Sequence, residues 1–481
     1  MERFPRTMSD VNQLVQLGEL LTKAIRTVTE EWSQEKFTKQ DGSTRSRPVA
    51  KNEHCRESDS RPSDKPEILP SWRLHEAQRT ILAISGTLTE LVAEPYHRLQ
   101  EFSAQYWEAR ALAIATERRI PDLLHEAGDN GMCVKVIAER TGIELKKLKR
   151  ILECLCSNHI FCQTGPECFS NNRISAALVN NEEFRAYIMI LHQDVYTASE
   201  RLPKYMLGPK GASYDATETA WQDAIGSSKP RWEWIAERVN PSQISNDSVG
   251  YSGVPDISRP ELETFSLAMI GGGNVSGAAH PFDYSWGNLP SGATVIDVGG
   301  GVGGFAMQLL SVYSHFNCIV QDRAEVIKHA EREIWPQTAS ELLHTGRVKF
   351  LAHDFFQPNP VYGADVYWMR GVLHNWSDDY CVKILSNIRD SMSEKSRLLI
   401  CDQLMNTTNG CNEIDSAPSP LLANYGYYTR YRHSRDISSM AVLNGIERTP
   451  SEFNQLIKKV GLRLIKFWET RSLFGIIEVQ K

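Results

Sequence analysis

The distribution of apolar and polar positions divides the chain into a first helix, a polar stretch, a helical region and a region of alternating strands and helices. From Val11 to Trp32, apolar residues recur at helical spacing: Leu14, Leu17, Leu21, Ile25, Val28 and Trp32. Residues 33–70 are polar, charged and proline-containing, and they hold too few apolar side chains to form a core. Residues 1–75 are therefore predicted to be an amphipathic helix and a flexible linker, with the helix packed on its own chain or on a partner subunit.

Residues 76–182 are predicted to form a winged helix. Several short helices precede Ile160, and a small β-wing follows between Phe161 and Leu178. The last of these helices carries four basic residues, which would suit DNA recognition: Lys146, Lys147, Lys149 and Arg150. Apolar residues are interleaved with them: Leu145, Leu148, Ile151 and Leu152. The basic residues are then simply the solvated face of an amphipathic helix, so we expect dimerisation rather than DNA binding.

Residues 183–290 are predicted to be mostly helical and are rich in aromatic and methionine side chains. Most of these side chains are expected in the core. Because this region lies between an oligomerisation module and a ligand-binding sheet, it is nevertheless expected to form the walls of a substrate pocket. His280 could contact a substrate there, although a buried histidine with satisfied nitrogen atoms is the better expectation.

Residues 291–481 alternate between strands and helices, which indicates an α/β fold with a doubly wound, mainly parallel sheet. Strands are expected near residues 294–298, 317–321, 348–352, 364–369, 397–404, 465–470 and 474–479. Ligands of such sheets bind at the carboxyl ends of the strands. Polar residues follow these ends at Asp297, Asp322, Asp354, Arg370, His374 and Asp402. The sequence therefore places the binding site at this edge.

A glycine-rich turn lies between the first of these strands and an apolar helix, with five glycines in residues 299–304. Gly299, Gly301 and Gly304 satisfy the GxGxxG pattern of a dinucleotide site, and Asp322 follows about 20 residues later. The same residues also fit a DxGxGxG pattern, typical of S-adenosylmethionine sites, with Asp297 at the strand end. An acid beside the turn suits an ammonium and a sulfonium and would repel a pyrophosphate. We therefore favour S-adenosylmethionine, with a nicotinamide-dependent oxidoreductase as the alternative.

The net charge, the length of the apolar runs and the cysteine spacing exclude several classes of protein. The net charge of −6 argues against a protein that binds nucleic acid by neutralising phosphates, and no apolar run is long enough to span a bilayer. The N-terminus lacks an apolar signal core, and the ten cysteines show no metal-ligand spacing. These features predict a cytoplasmic protein without a metal site.

The segments RGVLHNWSDDYCVKIL (370–385), VIDVGGGVGG, IVQDRAEVIKHA, AHDFF and NGIERTPSEF together resemble the plant-type small-molecule O-methyltransferases, including those of fungal secondary metabolism. The resemblance runs from about residue 76 to the end. It implies a Rossmann-like S-adenosylmethionine domain, a winged-helix dimerisation domain, a homodimer and metal-independent methylation of a phenolic hydroxyl. A catalytically silent dimeric winged-helix protein remains a further alternative.

The resemblance also assigns roles to individual residues. A phenol with a pKa near ~10 is mostly neutral at pH 7, so a base is needed, and His374 matches the base of the family. Asp402 and Glu447 match the two acids that orient it, while Asn375 stands where plant members usually carry an aspartate. The residues implied at the cofactor are Asp297, Gly299, Gly300, Gly301, Asp322, Asp354, Phe355 and Arg370.

Overall fold

The computed structural model describes residues 5–40, 69–243 and 255–481. Helix α1 (Met8–Gln40) lies against α2 (Trp72–Val92) of the same chain. Leu17 packs with Ala83 and Ile84 of α2, and Ala24 and Val28 pack further along the pair. The predicted helix is therefore present, but it extends eight residues into the stretch that we assigned to the linker, because residues 33–40 contain no proline or glycine. The remainder of that stretch, residues 41–68, lies outside the described residues.

The face that α1 buries is only part of the predicted stripe. Leu17 and Val28 are buried, whereas Leu14, Ile25 and Trp32 are exposed, each by more than 40%. Val11 and Val15 are exposed as well, so α1 presents a second apolar surface to the solvent around this chain.

The next segment forms a winged helix, as predicted. It contains α3 (Pro95–Ala104), α4 (Tyr106–Glu117), α5 (Ile120–Ala127), α6 (Val134–Thr141) and α7 (Leu145–Ser157). Strands β1 (Met132–Cys133), β2 (Phe161–Gly165) and β3 (Cys168–Asn171) form a small antiparallel sheet. In α7, Leu148, Leu152 and Leu155 are buried, and the basic side chains lie on the opposite, solvated face, where Lys149 pairs with Glu167.

The middle region is mostly helical. It contains α8 (Glu182–Ile190), α9 (Asp194–Met206), α10 (Ala220–Ile225), α11 (Arg231–Ile235), α12 (Pro260–Gly277) and α13 (His280–Asp283), with a short pair of strands, β4 (Arg238–Val239) and β5 (Ile257–Ser258). Helices α8 and α12 pack closely because α12 carries consecutive glycines. A Cβ atom on Gly271 would lie 2.3 Å from the Glu183 carbonyl oxygen.

The C-terminal region is built on a seven-stranded sheet in the order β11-β12-β10-β9-β6-β7-β8. The strands are β6 (Thr294–Val298), β7 (Asn317–Asp322), β8 (Val348–Ala352), β9 (Val366–Arg370), β10 (Arg397–Asp402), β11 (Arg463–Trp468) and β12 (Gly475–Gln480). Five strands are parallel, and β12 is antiparallel to both β10 and β11. The predicted doubly wound sheet is confirmed.

Helices cover both faces of this sheet. They are α14 (Gly304–Val312), α15 (Ala324–His329), α16 (Trp335–Thr338), α17 (Ser340–His344), α18 (Asp378–Ser391) and α20 (Pro450–Lys459), with a π-helical stretch (Ala330–Ile334) between α15 and α16. Helix α19 (Arg430–Leu443) instead packs against α9 and α10. One apolar core lies between the sheet and α14, and a second lies between the sheet and α18 and α20. Among the described residues, no helix combines the length and apolarity required to cross a bilayer.

Candidate active site

The glycine-rich turn connects β6 to α14 at the carboxyl edge of the sheet. Gly299, Gly301 and Gly303 adopt positive φ angles of 67°, 58° and 84°, which residues with a Cβ atom rarely adopt. A Cβ atom on Gly299 would lie 2.9 Å from Val372, whereas the space around Gly301 is open to 4 Å. The turn therefore offers bare backbone to a ligand.

Asp297 lies directly beneath this turn. Its side chain is buried, and a Cβ atom on Gly300 would lie only 2.5 Å from its carboxyl carbon. The Oδ2 atom has no hydrogen-bond partner among the described residues. Burial raises the pKa of Asp297 to about 7, although the charge of Arg370 lowers it. A buried, unsatisfied carboxyl beside an open backbone turn fits a ligand that carries positive charge.

Asp322 holds the turn in place. One carboxyl oxygen accepts a hydrogen bond from the Gly301 amide at 2.8 Å, and the other accepts one from the Arg323 amide at 2.8 Å. Burial raises the pKa of Asp322, while both amide hydrogen bonds lower it.

The two residues after β8 differ in their surroundings. Asp354 is exposed and accepts a hydrogen bond from the Phe356 amide at 3.0 Å, as in an Asx turn. The ring of Phe355 comes within 3.5 Å of a Cβ atom built on Gly299. An aromatic wall and an exposed acid thus stand beside the glycine turn.

Arg370 ends β9 and points between α12 and α14. Its Nη1 atom donates to Gln308 Oε1 at 3.1 Å, and its guanidinium lies 5.4 Å from the Phe305 ring centre. A Cβ atom on Gly277 would lie 2.4 Å from Nη1, so the α12 glycines make room for this side chain. Burial lowers the pKa of Arg370, and the nearby Cys401 and Asp297 oppose that shift.

His374 lies in a short 3₁₀ turn (Leu373–Asn375) just after β9. Its Nδ1 atom is 2.8 Å from Glu447 Oε1, and both side chains are buried. Burial alone would lower the pKa of His374, but the charge and hydrogen bond of Glu447 outweigh it and raise that pKa above its ordinary value. No described residue hydrogen-bonds to Nε2, the other ring nitrogen, so it is available to a ligand.

The backbone around this pair is tied together. The Ile446 amide donates to the His374 carbonyl oxygen at 2.9 Å, and the Glu447 amide donates to Asp436 Oδ1 at 2.9 Å. The buried guanidinium of Arg448 donates to the carbonyl oxygens of Leu373 and Trp376 at 3.1 and 2.8 Å. These contacts fix the histidine and the glutamate relative to each other.

Asp402 ends β10 beside the pair but does not hydrogen-bond to the His374 ring. It is buried, and neither carboxyl oxygen completes a hydrogen bond among the described residues. Burial raises the pKa of Asp402 to about 7, opposed chiefly by His374. Burial raises the pKa of Glu447, but His374, Arg435 and the side chain of the adjacent Gln403 outweigh burial and lower that pKa. Glu447 is thus the acid that orients His374 through a direct hydrogen bond.

Three polar residues near this site were not predicted from the sequence: Arg435, which lies close to the pair, and Tyr187 and Tyr431 beside Arg435. Arg435 donates to the Tyr187 hydroxyl at 3.3 Å, and the two tyrosine hydroxyls are 2.5 Å apart. The sequence did contain a pattern that links two of them, because Tyr431 and Arg435 are spaced i, i+4 and therefore lie on one face of α19.

His280 is fully buried, as we expected. Its Nε2 atom is 3.3 Å from the Phe474 carbonyl oxygen, and its ring stacks on that of Phe474. Burial lowers the pKa of His280 to about 3, so it is neutral in the core. No group of three or more histidine, cysteine, aspartate or glutamate side chains within the described ranges is arranged to hold a metal ion.

A doubly wound sheet with a glycine turn, an acid beneath it and a histidine–glutamate pair at the same edge defines the class of S-adenosylmethionine-dependent methyltransferases. The O-methyltransferase domain profile matches residues 288–463, and the O-methyltransferase dimerisation domain matches residues 100–181.

Individual proteins that are similar to this chain are also O-methyltransferases. O-methyltransferase cicE of Emericella nidulans is 54% identical over 490 residues, covering 100% of this chain and 91% of that protein. O-methyltransferase gedA of Aspergillus terreus is 50% identical, covering 99% and 98%. The solved structure of the mitomycin 7-O-methyltransferase MmcR is 25% identical with a TM-score of 0.61, covering 80% of this chain and 97% of that one.

The chain belongs to the O-methyltransferase family. It is an enzyme similar to fungal O-methyltransferases, and its cofactor is S-adenosylmethionine. Membership of this family rules out both alternatives to a methyltransferase, the nicotinamide-dependent oxidoreductase and the catalytically silent winged-helix protein.

Proposed function

We propose that this O-methyltransferase methylates a phenolic hydroxyl of an aromatic small molecule and that His374 is its general base. The observation that carries the proposal is the buried His374–Glu447 pair, with Nδ1 and Oε1 2.8 Å apart and Nε2 left for the acceptor. A neutral phenol is a poor nucleophile, and histidine has a pKa suited to removing its proton near neutral pH.

When bound, S-adenosylmethionine supplies an electrophilic methyl group on a positively charged sulfur. His374 Nε2 takes the hydroxyl proton as the acceptor oxygen forms its bond to the methyl carbon, while the bond from that carbon to sulfur breaks and its electron pair stays on the sulfur. Glu447 accepts a hydrogen bond from Nδ1 and stabilises the imidazolium that results. Asp402 adds negative charge nearby, and its influence is weaker because it makes no hydrogen bond to the ring. The step needs no metal ion.

We further propose that the cofactor lies across the glycine turn. The bare backbone of Gly299, Gly300 and Gly301 leaves space for it, and the unsatisfied carboxyl of Asp297 favours its positive charge. Asp322 would accept hydrogen bonds from the ribose hydroxyls while it holds Gly301. Phe355 and Asp354 would face the adenine, and Arg370 would lie near the adenosine.

A homodimer is the assembly that we propose. Six apolar side chains on the outside of α2, α3 and α4 are each exposed by 47% or more: Val92, Tyr96, Leu99, Phe102, Tyr106 and Trp107. So many exposed apolar side chains within 16 residues of the chain support an interface there, and part of this segment lies in the matched dimerisation domain. The second apolar surface of α1 supports a contribution of this helix to the interface.

Free thiols at all nine described cysteines support a cytoplasmic location.

The proposal is tested by incubating the enzyme with methyl-labelled S-adenosylmethionine and a panel of phenols in the presence of EDTA. Label should be transferred, and His374→Ala should reduce transfer by about 10²- to 10⁴-fold with nearly unchanged cofactor affinity. Asp322→Ala should instead weaken cofactor binding, and its effect on the methyl-transfer step should be small. A strict need for magnesium would overturn the metal-free step, and near-full turnover by His374→Ala would overturn the general base.

A further inference from the structure

A cationic residue stands beside the His374–Glu447 pair without a carboxylate partner. The guanidinium of Arg435 lies 5.4 Å from the centre of the Phe474 ring, and that ring lies 6.2 Å from the His374 ring. After burial and the interaction of the pair itself, the charge of Arg435 lowers the pKa of both His374 and Glu447. Arg435 is therefore close enough to act on chemistry at this histidine.

Burial lowers the pKa of Arg435, but Tyr187, Tyr431 and Glu447 outweigh burial and raise that pKa above its ordinary value. Among the described residues Arg435 forms no ion pair, and its hydrogen bond to the Tyr187 hydroxyl at 3.3 Å is long. A half-buried guanidinium has several N–H donors and loses hydration, so it is costly unless something accepts from it. A ligand that supplies an oxygen would offset this cost.

Two tyrosine hydroxyls extend the same surface. The hydroxyls of Tyr187 and Tyr431 are 2.5 Å apart. Tyr187 is held by its surroundings, since it stacks on Phe184 and a Cβ atom on Gly272 would lie 2.6 Å from its ring. The α19 helix is held in turn by Asp436, whose carboxylate accepts from the Glu447 amide. The three polar groups are thus presented from two anchored helices.

We infer that Arg435, Tyr187 and Tyr431 form an oxygen-binding subsite that receives a carbonyl or carboxylate oxygen located beside the acceptor hydroxyl that is methylated. This inference rests on the proposed function of the same site and specifies its substrate class. An oxygen next to the reacting hydroxyl would accept hydrogen bonds from the guanidinium and from the one tyrosine hydroxyl that does not donate to the other, while the reacting hydroxyl faces His374. An aromatic acceptor without such an oxygen would leave these donors unpaired, so the enzyme would bind it more weakly.

The test compares two aromatic probes that differ only by a carboxylate group beside the hydroxyl, 1-naphthol and 1-hydroxy-2-naphthoate. Their dissociation constants are measured by titration calorimetry on the full chain saturated with S-adenosylhomocysteine. We expect the wild type to bind the carboxylate-bearing probe about 10- to 100-fold more tightly. Arg435→Met should abolish this preference and change 1-naphthol affinity less than about twofold, while Arg435→Lys should keep part of the preference and Tyr187→Phe should reduce it.

Arg430→Met is the matched control. Arg430 is on the same helix, is exposed, and stacks on the Tyr427 ring, so its loss removes the same charge outside the subsite. It should leave the preference unchanged. Equal affinity of the two probes for the wild type, or a preference that survives in Arg435→Met, would overturn the inference alone. Failure of both probes to bind would overturn the aromatic acceptor of the proposed function, and the inference with it.

Discussion

At the scale of single residues, the site depends on how burial and neighbouring charge set the protonation of His374. Burial favours the neutral ring, and Glu447 favours the charged ring by more, so the pKa of His374 lies above its ordinary value. Because the base acts only when it is deprotonated, kcat/KM should rise with pH as the pH passes through this raised pKa.

The Glu447→Gln variant removes the charge and keeps the size of the side chain. The pKa of His374 should fall, so the midpoint of the kcat/KM profile should move to lower pH. Activity at high pH should nevertheless fall by about tenfold or more, since the imidazolium loses its stabilising partner and each pKa unit corresponds to about 1.4 kcal/mol. The profile is measured from pH 5 to 9, with the exposed Glu394→Gln as control. An unshifted midpoint would contradict the role assigned to Glu447.

At the scale of secondary-structure elements, the segment between α19 and α20 positions the turn after β9 that carries His374. The contact is made through Gly445, whose added Cβ atom would lie 2.2 Å from the His374 carbonyl oxygen. The clash is with backbone, so one of the two segments must move.

Gly445→Ala should therefore lower the free energy of unfolding by about 1–3 kcal/mol and also lower kcat, because the His374 turn shifts. Urea unfolding and steady-state kinetics measure the two effects. Gly287→Ala is the control, since nothing lies within 4 Å of the added atom, and its cost should stay below about 0.5 kcal/mol. A Gly445→Ala enzyme as stable and as active as the wild type would show that the contact tolerates a shift.

At the scale of the whole molecule, the apolar surface on α3 is the feature that a second copy would cover. The double variant Leu99→Glu, Phe102→Glu places two charges in its middle and should convert a dimer into a monomer at micromolar concentration, as measured by light scattering. Leu207→Glu adds a charge at a side chain that is 91% exposed elsewhere and should leave the mass unchanged. A wild-type protein that is monomeric, or a double variant that stays dimeric, would contradict the proposed interface.

Local patterns in the sequence were enough to predict the winged helix, the alternating strands and helices, and the glycine turn. Each depends on apolar periodicity or on a backbone angle that glycine alone adopts easily, and such features are encoded by neighbouring residues. The same reasoning placed the end of α1 too early, because polarity alone does not distinguish an exposed helical turn from a linker.

The contacts of the site were decided by the tertiary structure. His374 and Glu447 are 73 residues apart, and their hydrogen bond exists because the segment after α19 packs on the turn after β9. Asp402 and Glu447 were both predicted to lie beside His374, with the shorter Asp402 less well suited to reach it, and only Glu447 hydrogen-bonds to the ring. The subsite of Arg435, Tyr187 and Tyr431 joins helices 244 residues apart through its two tyrosines. The sequence by itself determined the helices and strands and the types of side chain at their ends. Which of those side chains come into contact was determined by the packing of distant elements, because periodicity carries no information about contacts between distant segments.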